Sequence, residues 1–147
     1  MITPLGNNLI FLISQPRAGS TLLQLMLGGH PEIHTVAEPW VMLHPLYALR
    51  PHGLEAEYSQ SYFHNAVMDF IQELPDAENT YCEGIRRMCA FLYSEALRES
   101  GKSRFLDKTP RYYNVIPELR KTFPQAKIIY LLRNPLAVLN SVLQTWV

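Results

Sequence analysis

The stretch that decides the fold is Phe11-Leu-Ile-Ser-Gln-Pro-Arg-Ala-Gly-Ser-Thr-Leu-Leu-Gln-Leu-Met-Leu27. The run from Leu9 to Ile13 is continuously apolar, as expected of a strand buried on both faces of a parallel sheet. Gly19 then permits a close turn, and Ser20-Thr21 open a segment of helical period. The first N–H groups of such a helix have no intrahelical partners, and together with the helix dipole they favour an anion at the corner. Arg17 adds a positive charge and a planar fork that fits tetrahedral oxyanions. Taken alone, the same corner also reads as an ordinary strand-to-helix turn.

The corner departs from the ATP-binding pattern G-x-x-x-x-G-K-[ST]. Ser14 stands at the first glycine position and Ser20 at the lysine position. Without the lysine, the β- and γ-phosphates of ATP lose their main charge partner. The nearest acidic candidate for holding Mg²⁺ is Asp107, which immediately precedes Lys108. The corner therefore suits a shorter, less highly charged group than a triphosphate.

Further along the chain, Lys127 to Arg133 reads as a second strongly apolar strand, with weaker strands at Ile33 to Val36 and Arg104 to Asp107. Helical periods fall at Ser20 to Leu27, about Ser61 to Leu74, about Asn79 to Glu99, Tyr112 to Phe123, and from Pro135 onward. Alternating strands and helices imply an α/β fold of three layers around a parallel sheet. Prolines at 39, 45 and 51 break any long helix between Glu38 and Gly53, which reads as a functional loop.

The 147 residues suffice for one domain with a real core, and 48% are apolar. Lys plus Arg and Asp plus Glu both number 13, so no overall field favours nucleic acid or an acidic membrane, and any anion site must come from local charge. Cys82 and Cys89 lie two helical turns apart, roughly 10 Å and beyond disulfide reach. Buried structural thiols in a reducing, cytoplasmic setting are the simplest reading. The first apolar run is too short for a signal sequence or membrane span. His30, beside Pro31, reads as a cap at the end of the first helix. The sequence stops inside a helix-period segment with no capping signal, as expected either of a protein that continues beyond this stretch or of a reduced version of a larger fold.

A second anion signature is Leu132-Arg-Asn-Pro-Leu-Ala-Val-Leu-Asn-Ser141. Arg133 ends a strand, Asn134 and Pro135 suit an N-cap and first helical position, and Ser141 follows about two turns later. Alone, this is also simply a well-capped helix. Both signatures fall at C-terminal strand ends, the edge where open α/β sheets bind ligands. Two anion sites on one edge suggest a nucleotide phosphorylated at two places.

"QPRAGSTLL" resembles the 5′-phosphosulfate loop of sulfotransferases that use 3′-phosphoadenosine 5′-phosphosulfate (PAPS), and "LLRNPLAVLNS" resembles their 3′-phosphate motif. The resemblance runs over roughly residues 8 to 147, particularly with the bacterial and tyrosylprotein-like branches. It implies a P-loop NTPase-like α/β/α fold, here one domain over residues 1–147 that is the N-terminal portion of a larger one. Carried over by position, Arg17, Ala18, Gly19, Ser20 and Thr21 would hold the 5′-phosphosulfate, with Arg133 and Ser141 on the 3′-phosphate. Many relatives have lysine where Arg17 stands, and charged residues at the positions of Leu136 and Ala137. The implied partners are PAPS, with no metal, and a hydroxyl-bearing small molecule, glycan or peptide.

The implied reaction is sulfuryl transfer, in which positioning and donors at the leaving phosphate suffice without Mg²⁺. Glu38, in "TVAEPW" after the second strand, is the candidate general base, and desolvation beside Pro39 and Trp40 would raise its pKa. Lys108 in "FLDKTPRYY", which also resembles a family motif, would stabilise charge on the bridging oxygen. Arg111 is a weaker candidate for contacting acceptor or nucleotide. Trp40, Tyr47, Tyr58, Tyr62 and Phe63 would form an apolar or sugar-stacking acceptor pocket. The alternatives are a P-loop nucleotide kinase or NTP-binding protein, and a non-catalytic nucleotide-binding module.

Overall fold

The computed structural model describes all residues except Ala37, Leu54, Ala56, Glu57, Tyr58 and Val147, together with the side chain of Trp146. Four strands, β1 (Leu9–Ser14), β2 (Ile33–Thr35), β3 (Arg104–Lys108) and β4 (Lys127–Leu131), form one sheet in the order β2-β3-β1-β4. Every pairing is parallel. β1 lies between β3 and β4, which is why it carries the most continuous apolar run.

Among the described residues, six α-helices accompany the sheet: α1 (Ser20–Gly28), α2 (Leu43–Tyr47), α3 (Gln60–Gln72), α4 (Ala77–Arg98), α5 (Ile116–Thr122) and α6 (Pro135–Trp146). The two-residue alternation of a strand separates β1 into two cores. Leu9, Phe11 and Ile13 pack with Ile85, Cys89 and Tyr93 of α4 and with Leu119 of α5. Leu12, with Ile10 beside it, faces Leu23 and Leu27 of α1. The result is the three-layer α/β architecture expected from the sequence. The connection from β1 runs outward to β2, whereas the connection from β3 crosses to β4 on the other side. The C-terminal end of β1 is thus a topological switch point, where open parallel sheets leave a crevice.

The expected helix from Tyr112 to Phe123 is two elements. A 3-10 turn spans Pro110–Val115, and α5 begins at Ile116 with Pro117 in its first turn. Proline lacks the N–H that a continuous helix would need there, so the helix restarts around it. The last strand ends at Leu131 rather than Arg133. The loop from Glu38 to Gly53 contains the five-residue α2, within the limit its prolines set. His30 does not cap α1: its Nδ1 accepts the Glu32 N–H at 3.2 Å. The cation at that helix end is Lys102, whose Nζ donates to the carbonyls of Gly28, His30 and Ile33 at 3.2, 3.4 and 2.8 Å. Cys82 and Cys89 are free and buried, and burial pushes the Cys89 thiol up to about 12.

Phe11 is fully buried and meets Tyr112 edge-on at 5.9 Å and Phe123 at 6.2 Å. Phe11→Ala is expected to cost about 3–5 kcal/mol in urea denaturation, through lost burial and the cavity left behind. Leu25→Ala on α1, at a side chain 67% exposed, should change stability by no more than about 0.5 kcal/mol.

Candidate active site

The corner after β1 is built by backbone angle. Arg17 adopts φ 66° and Gly19 φ 95°, two left-handed residues within three positions. A Cβ on Gly19 would meet nothing within 4 Å, so glycine is needed there for its angle and not for space. Gly19 is the N-cap of α1, which has no side-chain cap and no acidic residue in its first turn. Its carbonyl accepts the Leu23 N–H at 3.2 Å, and the amides before Leu23 are the orphan donors of a helix start. Ala18 and Ser20 are buried, whereas Thr21 is exposed.

The second signature folds back onto this corner. Arg133 Nη1 donates to the Arg17 carbonyl at 2.9 Å. The Arg17 guanidinium in turn reaches α6, donating through Nε to Ser141 Oγ at 3.1 Å and through Nη2 to Thr145 Oγ1 at 3.0 Å. Thr145 was not singled out from the sequence. The available signal was its position four residues after Ser141, on the same helix face.

Glu38 follows β2. Its Oε1 accepts from Lys108 Nζ at 2.6 Å and its Oε2 from the Trp40 indole N–H at 3.0 Å. Lys108 is almost fully buried and also donates to Thr21 Oγ1 at 3.4 Å, so it ties the Glu38 loop to the first turn of α1. The expected desolvation of Glu38 is not found, since 36% of its side chain is exposed. Lys108 and Trp40 each bond one of its oxygens, yet more than a third of the side chain stays open to solvent. Beside Lys108 on β3, Asp107 is fully buried, and three hydroxyls donate to its carboxylate.

An open cleft of about 520 Å³ collects these groups. Arg17, Gly19, Ser20, Thr21, Glu38, Arg133 and Ser141 line it, while Ala18 and Lys108, both buried, do not. Pro16, Trp40, Pro110 and Arg111 complete the lining. Three arginines against one carboxylate leave the cleft positive, as an anionic ligand requires. Of the aromatics expected at an acceptor pocket, Trp40 lines the cleft, Tyr47 is buried in the core, Tyr62 is exposed, and Phe63 is half-buried on α3 and does not line it. Tyr58 lies outside the described residues. Among the described residues, no three His, Cys, Asp or Glu side chains gather as metal ligands.

Comparison with known proteins matches this arrangement to one family. The chain is 36% identical over 145 residues to the nodulation protein NoeE of Sinorhizobium fredii, covering 92% of this chain and 31% of that protein. It is 26% identical to the protein-tyrosine sulfotransferase of Drosophila melanogaster, covering 92% of this chain and 25% of that one. Among solved structures, the sulfotransferase domain of the Synechococcus PCC 7002 olefin synthase superposes with a TM-score of 0.53 at 29% identity, over 92% of this chain and 52% of that domain. The chain thus spans about a third or less of these two protein relatives and about half of the solved domain. The sequence model of the Sulfotransferase family matches residues 9–147, and the chain belongs to that family.

Proposed function

We propose that this chain carries the donor site and the general base of an enzyme that transfers a sulfuryl group from PAPS to a hydroxyl. The observation that carries the reading is the direct contact between the two anion signatures, Arg133 on the Arg17 carbonyl and Arg17 on Ser141, in the cleft that also holds Glu38. One nucleotide with anions at both ends fits such a joined pair. The donor chemistry of the cleft fits PAPS: unpaired amides at the start of α1, Ser20 and Thr21 for the 5′-phosphosulfate, and Arg133 with Ser141 for the 3′-phosphate. Arg17 stands between the two groups. Ser20, at the lysine position of an ATP loop, is buried, which favours this reading over a triphosphate kinase.

In the reaction, the acceptor oxygen forms a bond to sulfur while the bond from sulfur to the bridging phosphate oxygen breaks. The acceptor's proton passes to Glu38, and 3′-phosphoadenosine 5′-phosphate leaves. Lys108 orients the Glu38 carboxylate and stands close to the start of α1, where negative charge grows on the leaving phosphate. Trp40 donates to the other Glu38 oxygen and offers an aromatic face to a sugar ring or a tyrosine side chain. Glycans, peptides and small hydroxylated molecules are the acceptor classes this wall suits. The free, buried cysteines favour a reducing compartment. No helix among the described residues is long and apolar enough to cross a membrane.

Transfer of label from sulfur-labelled PAPS to hydroxylated acceptors tests the proposal, and ATP-dependent phosphorylation in its place would overturn it. Glu38→Gln should lower kcat roughly 10²–10⁴-fold, the usual contribution of a general base. The amide oxygen can still accept from Lys108, so donor affinity should hold. Arg133→Ala should instead raise the KM for PAPS with a smaller effect on kcat, since it removes ground-state and transition-state contacts alike.

A further inference from the structure

We propose that Asp107 is a positioning residue whose carboxylate sets the loop carrying Glu38 and Trp40, acting through the hydroxyls of Tyr112 and Thr109. The role of that loop rests on the function proposed above; the placement itself does not. Successive residues of a strand point to opposite faces, and β3 uses this alternation. Phe105 joins the α4-side core and Leu106 the α1-side core. Asp107 then turns toward Tyr93 of α4, and Lys108 toward Thr21 of α1.

Three hydroxyl donors converge on the carboxylate. Oδ2 accepts from Tyr93 at 2.5 Å and from Tyr112 at 3.0 Å, and Oδ1 accepts from Thr109 at 2.8 Å. A carboxylate only accepts, so it fixes where each hydroxyl proton points and leaves the oxygen lone pairs facing away. Two of these oxygens receive loop amides. Tyr112 accepts the Met42 N–H at 3.2 Å, and Thr109 accepts the Trp40 N–H at 3.4 Å. Met42 is fully buried at the start of α2. Trp40 holds φ 58°, an angle that a bulky residue keeps only when its surroundings impose it. Lys108 grips Glu38 from the other side of the sheet. One dipeptide of β3 therefore pins the loop at Glu38, Trp40 and Met42.

The arrangement has a measurable pH dependence. The ionisable groups facing Asp107 are Tyr93 and Cys89 from α4, Tyr112 from the 3-10 turn and Glu38 from the loop; β1 brings none. Burial raises the Asp107 carboxyl to about 6 from 3.8 in spite of the three hydroxyl donors. A raised folded-state pKa means that this group's stability is fully present below 3.8 and is lost as the pH rises through about 6. Loop order runs the other way. Protonation removes the charge that strengthens the three hydroxyl bonds, so the hydroxyls that hold the loop amides are gripped less firmly as the pH falls through about 6. A carboxyl that served only the core would move fold and loop together.

Amide hydrogen exchange by NMR on the full chain, corrected for intrinsic rates, tests the assignment. At about pH 7.5, where Asp107 is ionised, Asp107→Asn should speed exchange of the Met42 and Trp40 amides by roughly five- to tenfold, the loss of one hydrogen bond each. Tyr112→Phe should speed Met42 alone by a similar factor. It keeps the ring against Phe11 and leaves Asp107 bonded to Tyr93 and Thr109, so it serves where the Asn variant does not fold. Protection in β1 and β4 should hold in both. In the wild type, loop protection should fall on acidification through about pH 6 while thermal stability does not, a divergence absent from the Asn variant. Unchanged loop amides, or a loss spread equally over β1 and β4, would overturn the assignment. Where the wild type transfers sulfuryl, the Asn variant should lose kcat with PAPS KM unchanged. A wild type that binds no nucleotide defeats the proposed donor site and leaves the exchange result standing.

Discussion

The cleft depends on Arg17. Its backbone carbonyl takes Arg133 and its guanidinium takes Ser141 and Thr145, so a single residue at the end of β1 holds together segments that lie more than a hundred positions apart in the chain. These bonds are exposed, and each contributes on the order of 1 kcal/mol or less to stability. Their consequence is geometric. The left-handed angle at Arg17 turns its carbonyl toward Arg133 and its side chain toward α6, while the second left-handed residue, Gly19, starts α1 at the same corner. The open helix start and both cationic side chains then face one space.

The opposite wall depends on β3. Lys108 and Asp107 are adjacent in sequence and emerge on opposite faces of the sheet, one to an ion pair and the other to a cluster of hydroxyls. Burying an ammonium and a carboxylate so close together is costly unless each is satisfied. Lys108 has Glu38 and Thr21, and Asp107 has three donors. Each set includes bonds that reach the loop between β2 and α2, at Glu38 directly and at Trp40 and Met42 through Thr109 and Tyr112. The most expensive polar groups of the core are therefore spent on holding a surface loop beside the cleft.

Much of this was legible in the sequence, because β1 and the β1–α1 corner obey local rules. A strand buried on both faces must be apolar throughout, and a turn that needs φ 95° selects glycine. Arg133 and Ser141 could be placed on the same sheet edge from strand order alone. The contact of Arg17 with α6 could not, since side-chain direction across more than a hundred residues leaves no periodic trace. The same holds for Asp107, which reads locally as half of an Asp-Lys turn; only the fold brings Tyr93 and Tyr112 to it. Period also misled where proline intervened, merging the 3-10 turn and α5 into one helix. Leu22, Leu25 and Met26 of α1 and Leu136 and Leu139 of α6 lie at helical spacing yet are exposed among the described residues. Apolar spacing alone does not say which face is covered.

The measurement that bears most directly on the joined cleft is the thermal shift of this chain with 3′-phosphoadenosine 5′-phosphate, set against AMP and ADP. A nucleotide held at both ends by one cleft should raise Tm with the 3′,5′-bisphosphate and much less with AMP or ADP, and Arg17→Ala should erase the difference, because ligand binding to the folded state alone stabilises it by mass action. Equal shifts with ADP and the bisphosphate, or a bisphosphate shift that survives Arg17→Ala intact, would contradict a site built on the Arg17 junction.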